Sequence, residues 1–229
     1  YLAMNMNMVA NEAFLDTASV RSSVVSHAKT LGYTPNSVRA PIANVNVTLN
    51  NIGSLTSATI PVGTIFTTVI DNINYQFVTV AEHTRQIENG IISFNNIPIH
   101  EGTYVTNRYT VDIDNVDQKF YVNDENGDTT TLIVDVFDNS SSTSSTTFTL
   151  ATDTTQTASD SNVYFLQESV DGKFEIYFGD GITGKALSDG NIVRMRYVVT
   201  NKEKANGASS FTTSATISGI TNITTATVS

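Results

Sequence analysis

The stretch Gly179-Asp180-Gly181-Ile182-Thr183-Gly184-Lys185 satisfies both the GxGxxG and the GxxxxGK spacing, so it is the first place to look for chemistry. A phosphate cradle needs such a loop to leave a strand and open a helix whose first amides hold the anion. A strand pattern is present in Phe174-Glu175-Ile176-Tyr177-Phe178, but Ala186-Leu187-Ser188-Asp189-Gly190 meets another turn within five residues. Ala186 stands where a phosphate loop carries its magnesium-binding hydroxyl, and the Asp180 carboxylate opposes a phosphate. Gly179, Gly181 and Gly184 are therefore read as structural turn residues, with no cofactor.

Acidic residues form the next candidates. Asp112, Asp114 and Asp117, and separately Asp124, Glu125 and Asp128, contain enough carboxylates for a hard cation. Neither group follows the D-x-D-x-D-G order or supplies a closing Glu. Asp112 and Asp114 read more simply as the wet face of a strand. His27, His83 and His100 are far apart in sequence and have no HExxH or paired carboxylates beside them. No serine sits in a G-x-S-x-G elbow. The N-x-S/T matches at Asn46, Asn139 and Asn222 are what a chain rich in Asn, Ser and Thr gives by chance. No catalytic, cofactor or metal residue is assigned, and the chain is read as no enzyme.

Composition narrows the partners. The 229 residues hold 12 Lys and Arg against 22 Asp and Glu, a net charge of −10 that repels phosphate backbones and anionic headgroups. Nucleic-acid binding, membrane insertion and small-molecule substrates are not expected. With no cysteine, disulfides, thiolate catalysis and Cys-based zinc sites are excluded. The absence of Met at position 1 and an end inside the alternating pattern suggest a segment of a longer chain.

Two helices are expected at the start. Leu2, Met6, Val9, Ala13 and Phe14 recur at helical spacing, Asp16 or Thr17 offers an N-cap, and Val20, Val24, Ala28 and Leu31 line a second helix. Gly32 supplies its C-terminal turn and Pro35 stops it. Met4, Met6, Met8, Val9 and Phe14 form an apolar cluster that suits either an intrachain core or a bundle with partner chains.

From residue 41 the period becomes two, giving strands at 43–49, 59–61, 63–67, 75–80, 90–94 and 97–99. Asn72–Asn74 read as one turn, and Glu101-Gly102 as another. Phe120–Val122 and Thr131–Phe137 read as a hairpin about Asn126-Gly127. Residues 139–147 are a polar surface loop, followed by strands at 163–166, 174–178 and 192–199 and a weak strand in the tail. The expected fold is mainly β with an N-terminal helical pair, its antiparallel sheets forming a sandwich or two β subdomains. The segments are 1–34 helical, 35–138 β, 139–160 a Ser/Thr-rich loop, and 161–229 a second β region.

Two blocks carry a family resemblance. Asn11-Glu12-Ala13-Phe14-Leu15-Asp16-Thr17-Ala18 runs on to Ser26-His27-Ala28-Lys29-Thr30-Leu31-Gly32-Tyr33-Thr34-Pro35. The Phe174–Lys185 stretch follows in the same order, with Asp189-Gly190-Asn191-Ile192 after it and Ile99-His100-Glu101-Gly102 between the two blocks. Together they resemble the baseplate J-like and T4-like gp6 baseplate wedge family of contractile-tailed phages. The resemblance implies a structural wedge subunit, made in the host cytoplasm and carried in the virion tail baseplate. It also implies pairing with a second copy, contacts with other wedge proteins, and linkage of neighbouring wedges into a ring around the tail hub. The alternative is a β-sandwich adhesin or surface-layer module, which the opening helical block disfavours. A tail glycan hydrolase would need paired carboxylates in an aromatic groove, and the sequence has no Trp and no evident pair.

Overall fold

A computed structural model describes residues 2–30, 33, 35–151, 157–169 and 171–228, with the backbone alone for 2–4, 29 and 30. Helix α1 (Leu2–Glu12) and helix α2 (Arg21–Thr30) precede the strands. The first seven are β1 (Ile42–Leu49), β2 (Ser57–Ile60), β3 (Ile65–Ile70), β4 (Ile73–Val78), β5 (His83–Gln86), β6 (Ile92–Glu101) and β7 (Thr103–Thr110). The remainder are β8 (Phe120–Val122), β9 (Gly127–Phe137), β10 (Thr146–Leu150), β11 (Val163–Glu168), β12 (Phe174–Phe178), β13 (Ile192–Val199) and β14 (Ile223–Thr227). A mainly β chain behind a helical pair is what the patterning predicts. Gly32 lies outside the described residues.

One sheet runs β14-β1-β6-β4-β3, a second runs β7-β13-β9-β10-β11-β12-β8, and β2 pairs with β5. β10 and β11 run parallel, while the other pairs with defined register are antiparallel. The chain divides into two compact units. The first is Tyr1–Ser37, Thr106–Glu125 and Ile133–Met195; the second is Val38–Val105, Asn126–Leu132 and Arg196–Ser229. Strands β7, β9 and β13 each carry the chain from one unit to the other.

The second unit shows how alternation becomes a core. Val45, Val47 and Leu49 of β1 point inward at every second residue, as the sequence period requires. On β6 the inward residues are Ile92 and Phe94, then Ile97 and Ile99. That change of parity needs one extra residue, and the β1–β6 register shifts there, with Val45 opposite Ile97 but Val47 opposite Phe94. Asn96 takes the left-handed conformation, and its amide donates to the Asn46 side chain at 2.8 Å. The bulge keeps both halves of a ten-residue strand facing the core, so what reads as two strands is one.

Four other readings change. The β3–β4 turn is the left-handed pair Asp71-Asn72, because Ile73 already pairs with Ile70. β8 and β9 do not form a hairpin: β8 pairs with β12, and neither Asn126 nor Gly127 has positive φ. Local turn chemistry there loses to pairing with a distant strand. Asp112 and Asp114 sit in a turn between β7 and β8 instead of on a strand face. In the polar run, Thr146 and Thr147 are already part of β10.

Where β6 gives way to β7, the fold closes around two residues. The Glu101 side chain is fully buried, and its carboxyl accepts from Thr200 Oγ1 at 2.6 Å, Asn201 N at 2.9 Å and Asn201 Nδ2 at 2.7 Å. Next to it, Gly102 has φ +126 and lies so close to β13 that a Cβ would stand 2.2 Å from the Val199 carbonyl oxygen. Gly102→Ala is expected to cost about 2–5 kcal/mol, from backbone strain together with overpacking. Gly90→Ala, at φ +78 with open space around it, is expected to cost about 1 kcal/mol. Urea unfolding midpoints of the two variants check this, and equal losses would contradict the steric account.

Candidate functional site

α1 is apolar and largely bare. Met6, Met8, Val9 and Phe14 are 66, 59, 70 and 68% exposed, so within this chain they do not form a core. Met4 belongs to the same helix. Met6, Val9, Ala10 and Ala13 line a shallow apolar groove along it. Between Leu2 and Asn11 the helix carries no charge, and 11 residues are too few for a helix to be stable by propensity alone.

α2 is anchored where α1 is not. Val25 and Ala28 are buried, and Arg21 reaches Glu168 of β11 with Nε and Nη2 at 3.0 and 2.8 Å. Neither Asp16 nor Thr17 caps it. Thr17 instead donates to the Asn11 carbonyl at 2.6 Å, and the Glu12 carboxylate accepts from Ser19 N, Ser19 Oγ and Val20 N at 3.0, 2.8 and 3.2 Å. A carboxylate from the end of one helix thus satisfies amides at the start of the next. Val20, expected on the inner stripe, is exposed.

The glycine loop uses its amides internally. The amides of Ile182 and Thr183 both donate to Asp180 Oδ1 at 2.9 Å, so the loop already contains its anion. Those two bonds hold the Asp180 carboxyl below its ordinary value. Gly181 and Gly184 have φ of +85 and +84, and a Cβ on Gly179 would lie 2.2 Å from the Gly184 carbonyl. No helix follows.

The remaining candidates are structural groups. Asp128 is buried and accepts from Ala40 N at 2.8 Å, Thr130 N at 2.9 Å and Thr130 Oγ1 at 2.6 Å. In the 112–117 turn, Asp112 Oδ1 accepts the Asp114 amide at 3.1 Å. Among the described residues no three His, Asp or Glu side chains gather to hold a metal ion. His27 Nε2 lies 3.0 Å from the Glu12 carbonyl, and burial lowers the pKa of His83 and His100. Pattern reading misses Glu101, Asp135, Glu168 and Glu175, all buried. Each lies in a strand, with a partner on a remote segment: Thr200 for Glu101, Arg194 for Asp135, Arg21 for Glu168 and Lys119 for Glu175. No local signal marks them.

Residues 105–209 match the family model described as the third domain of bacteriophage baseplate wedge protein gp6. The chain is also 26% identical over 252 residues to the baseplate wedge protein gp6 of Enterobacteria phage T4, covering 97% of this chain and 35% of that protein. Both matches make the chain similar to gp6 baseplate wedge proteins. It spans about a third of the length of the curated relative it matches. The region matched to the gp6 third domain contains β8 to β13 and the glycine loop. Its apolar interior is a run of edge-to-face rings, Tyr109–Phe120, Phe120–Phe178 and Phe178–Phe148, at 5.6, 5.5 and 5.4 Å.

For this gp6-like chain the helix junction gives a pH test. The hydrogen bonds from Ser19, Ser23 and Val20 lower the Glu12 carboxyl from 4.5 to about 2. Its stabilising effect is therefore complete above the unfolded value and lost as the pH falls toward the folded one. Carbon-detected titration of Glu12 should give a midpoint well below 4.5, with the Ser19 amide resonance moving in step. Glu12→Gln should abolish that step, and an unshifted Glu12 would contradict the cap.

Proposed function

We propose that this chain is a structural, non-enzymatic part of a phage tail baseplate wedge, made in the host cytoplasm and carried in the virion baseplate. In this reading it pairs with a second copy, contacts other wedge proteins and helps link neighbouring wedges into a ring around the tail hub. It takes no cofactor, nucleic acid or small-molecule substrate and inserts in no membrane. The observation that carries the reading is the match of residues 105–209 to the gp6 third domain. The relative named as a wedge protein supports it over 97% of this chain.

Physical features support the same role. A β body with paired buried charges holds its shape. The exposed apolar residues Met6, Met8 and Val9 of α1, with Phe14 just beyond its end, then offer a surface for a partner helix. Met4 lies on the same helix, its side chain outside the described residues. Methionine suits it, since an unbranched thioether adapts to an irregular neighbour. Gly179, Gly181 and Gly184 serve as turn residues that shape the body.

The test uses the full chain and the other wedge proteins of its phage. The mass of the chain in solution is measured alone and with each partner. A self-pairing chain that binds at least one wedge protein is expected. Met6→Ser with Val9→Ser should weaken that association about tenfold or more, while unfolding free energy moves by less than about 0.5 kcal/mol, because both side chains are already exposed. A strict monomer that ignores tail proteins and binds a glycan would overturn the reading in favour of an adhesin.

A further inference from the structure

The first unit carries an open cleft of about 410 Å³ between the 111–118 turn and β12. Ile113, Val116, Tyr177 and Leu187 line it together with the carboxylates of Asp112 and Asp117. Val116 is 92% exposed and Ile113 61%. Single exposed apolar side chains are ordinary on a protein surface, but here two stand on one fastened loop beside a cleft. Val111 exchanges backbone bonds with Asn191 and Gly190 at 2.8 and 2.9 Å, and Gln118 Nε2 donates to the Thr110 carbonyl at 2.7 Å. Gln118 Oε1 accepts the Asp112 amide at 3.1 Å, and the Asp117 amide donates to Asn115 Oδ1 at 3.2 Å. The turn thus presents Val116 and Ile113 already in position, so little ordering cost remains for a ligand to meet.

Charge selects the occupant. The ammonium of Lys119 lies 3.1 Å from Glu175, which also accepts from Gln167 at 2.6 Å, so that cation is engaged. Asp112 and Asp117 remain as an uncompensated negative rim, and the half-exposed Tyr177 ring offers a face for a guanidinium. A second copy would bring the same acidic rim and a net charge of −10. We propose that this cleft receives an apolar side chain flanked by arginines from a different partner protein, as an assembly surface separate from α1. The inference rests on the assembly reading and names the partner's chemistry.

The probe is a short fluorescein-labelled peptide with leucine between two arginines, titrated with the full chain and followed by anisotropy. Binding is expected to weaken as salt rises, to fall at least tenfold in a chain carrying Val116→Ser and Asp117→Asn, and to be absent for a glutamate-flanked peptide. Both substituted side chains are peripheral, and an unchanged thermal melt verifies that the variant is folded. Equal binding of both peptides, no binding of either, or no effect of the double variant would overturn the proposal. Wedge proteins that bind the double variant as well as the unmodified chain would overturn it too, leaving the assembly reading intact. Peptide binding with no wedge protein bound would remove the assembly reading and retain the cleft. Loss of self-pairing in the double variant would make a second copy the occupant and overturn the arginine partner.

Discussion

A carboxyl group with no solvent exposure must find all its partners inside the protein, or the site does not form. Glu101 does so with Thr200 and Asn201, and the chain beside it can pass only because residue 102 has no Cβ. Its own amide donates to Pro41, and the Gly102 amide to Gln76, so four separate segments of the second unit converge here. A Gln in place of Glu101 would bring a donor where three donors already point. The β6–β7 transition therefore constrains strand positions on every side of it. This is how an acidic residue is accommodated beside a β core built of Phe, Ile, Val, Leu and Ala.

Sheet edges are the second constraint, since an open edge invites pairing with any strand. In the second unit the segment 209–213 serves both ends of the five-stranded sheet. Thr212 exchanges backbone bonds with Thr67 of β3, while Thr227 of β14 donates to the Ser209 carbonyl and Thr225 donates to that of Phe211. Phe211 meanwhile packs edge-on to Phe77 at 4.9 Å. In the first unit Tyr109 of β7 donates to the Tyr121 carbonyl of β8, joining residues from the two ends of the other strand order.

The sequence shows its strands because period two is a local signal, and nearly every alternating run became a strand. It shows the helix positions for the same reason. Pairing is non-local, and there the reading fails. Asn126-Gly127 promised a hairpin, but Phe120–Val122 found β12 more than fifty residues away. The bulge at Asn96 was hidden because a parity change looks like a strand break. The Glu12 cap was hidden because capping is ordinarily sought within the first turn. Of the candidate site, the apolar residues of α1 were legible by type and spacing. Their exposure was not, because the same pattern describes a buried helix. The cleft at Val116 gave no signal, since a single Val among Asp and Asn resembles an ordinary turn.

The two apolar surfaces proposed for assembly differ in how association would be limited. The 111–118 turn is fixed by its own amide bonds before anything arrives, so its contribution depends on complementarity and screening. α1 is different, since its uncharged turns have few contacts to hold them beyond the Glu12 junction with α2. A partner that covers α1 must also supply the energy that keeps it helical, so binding and ordering there are one event. Apolar burial dominates such a contact and tolerates salt, whereas the acidic cleft weakens with it. A subunit using both surfaces would be held at one and steered at the other.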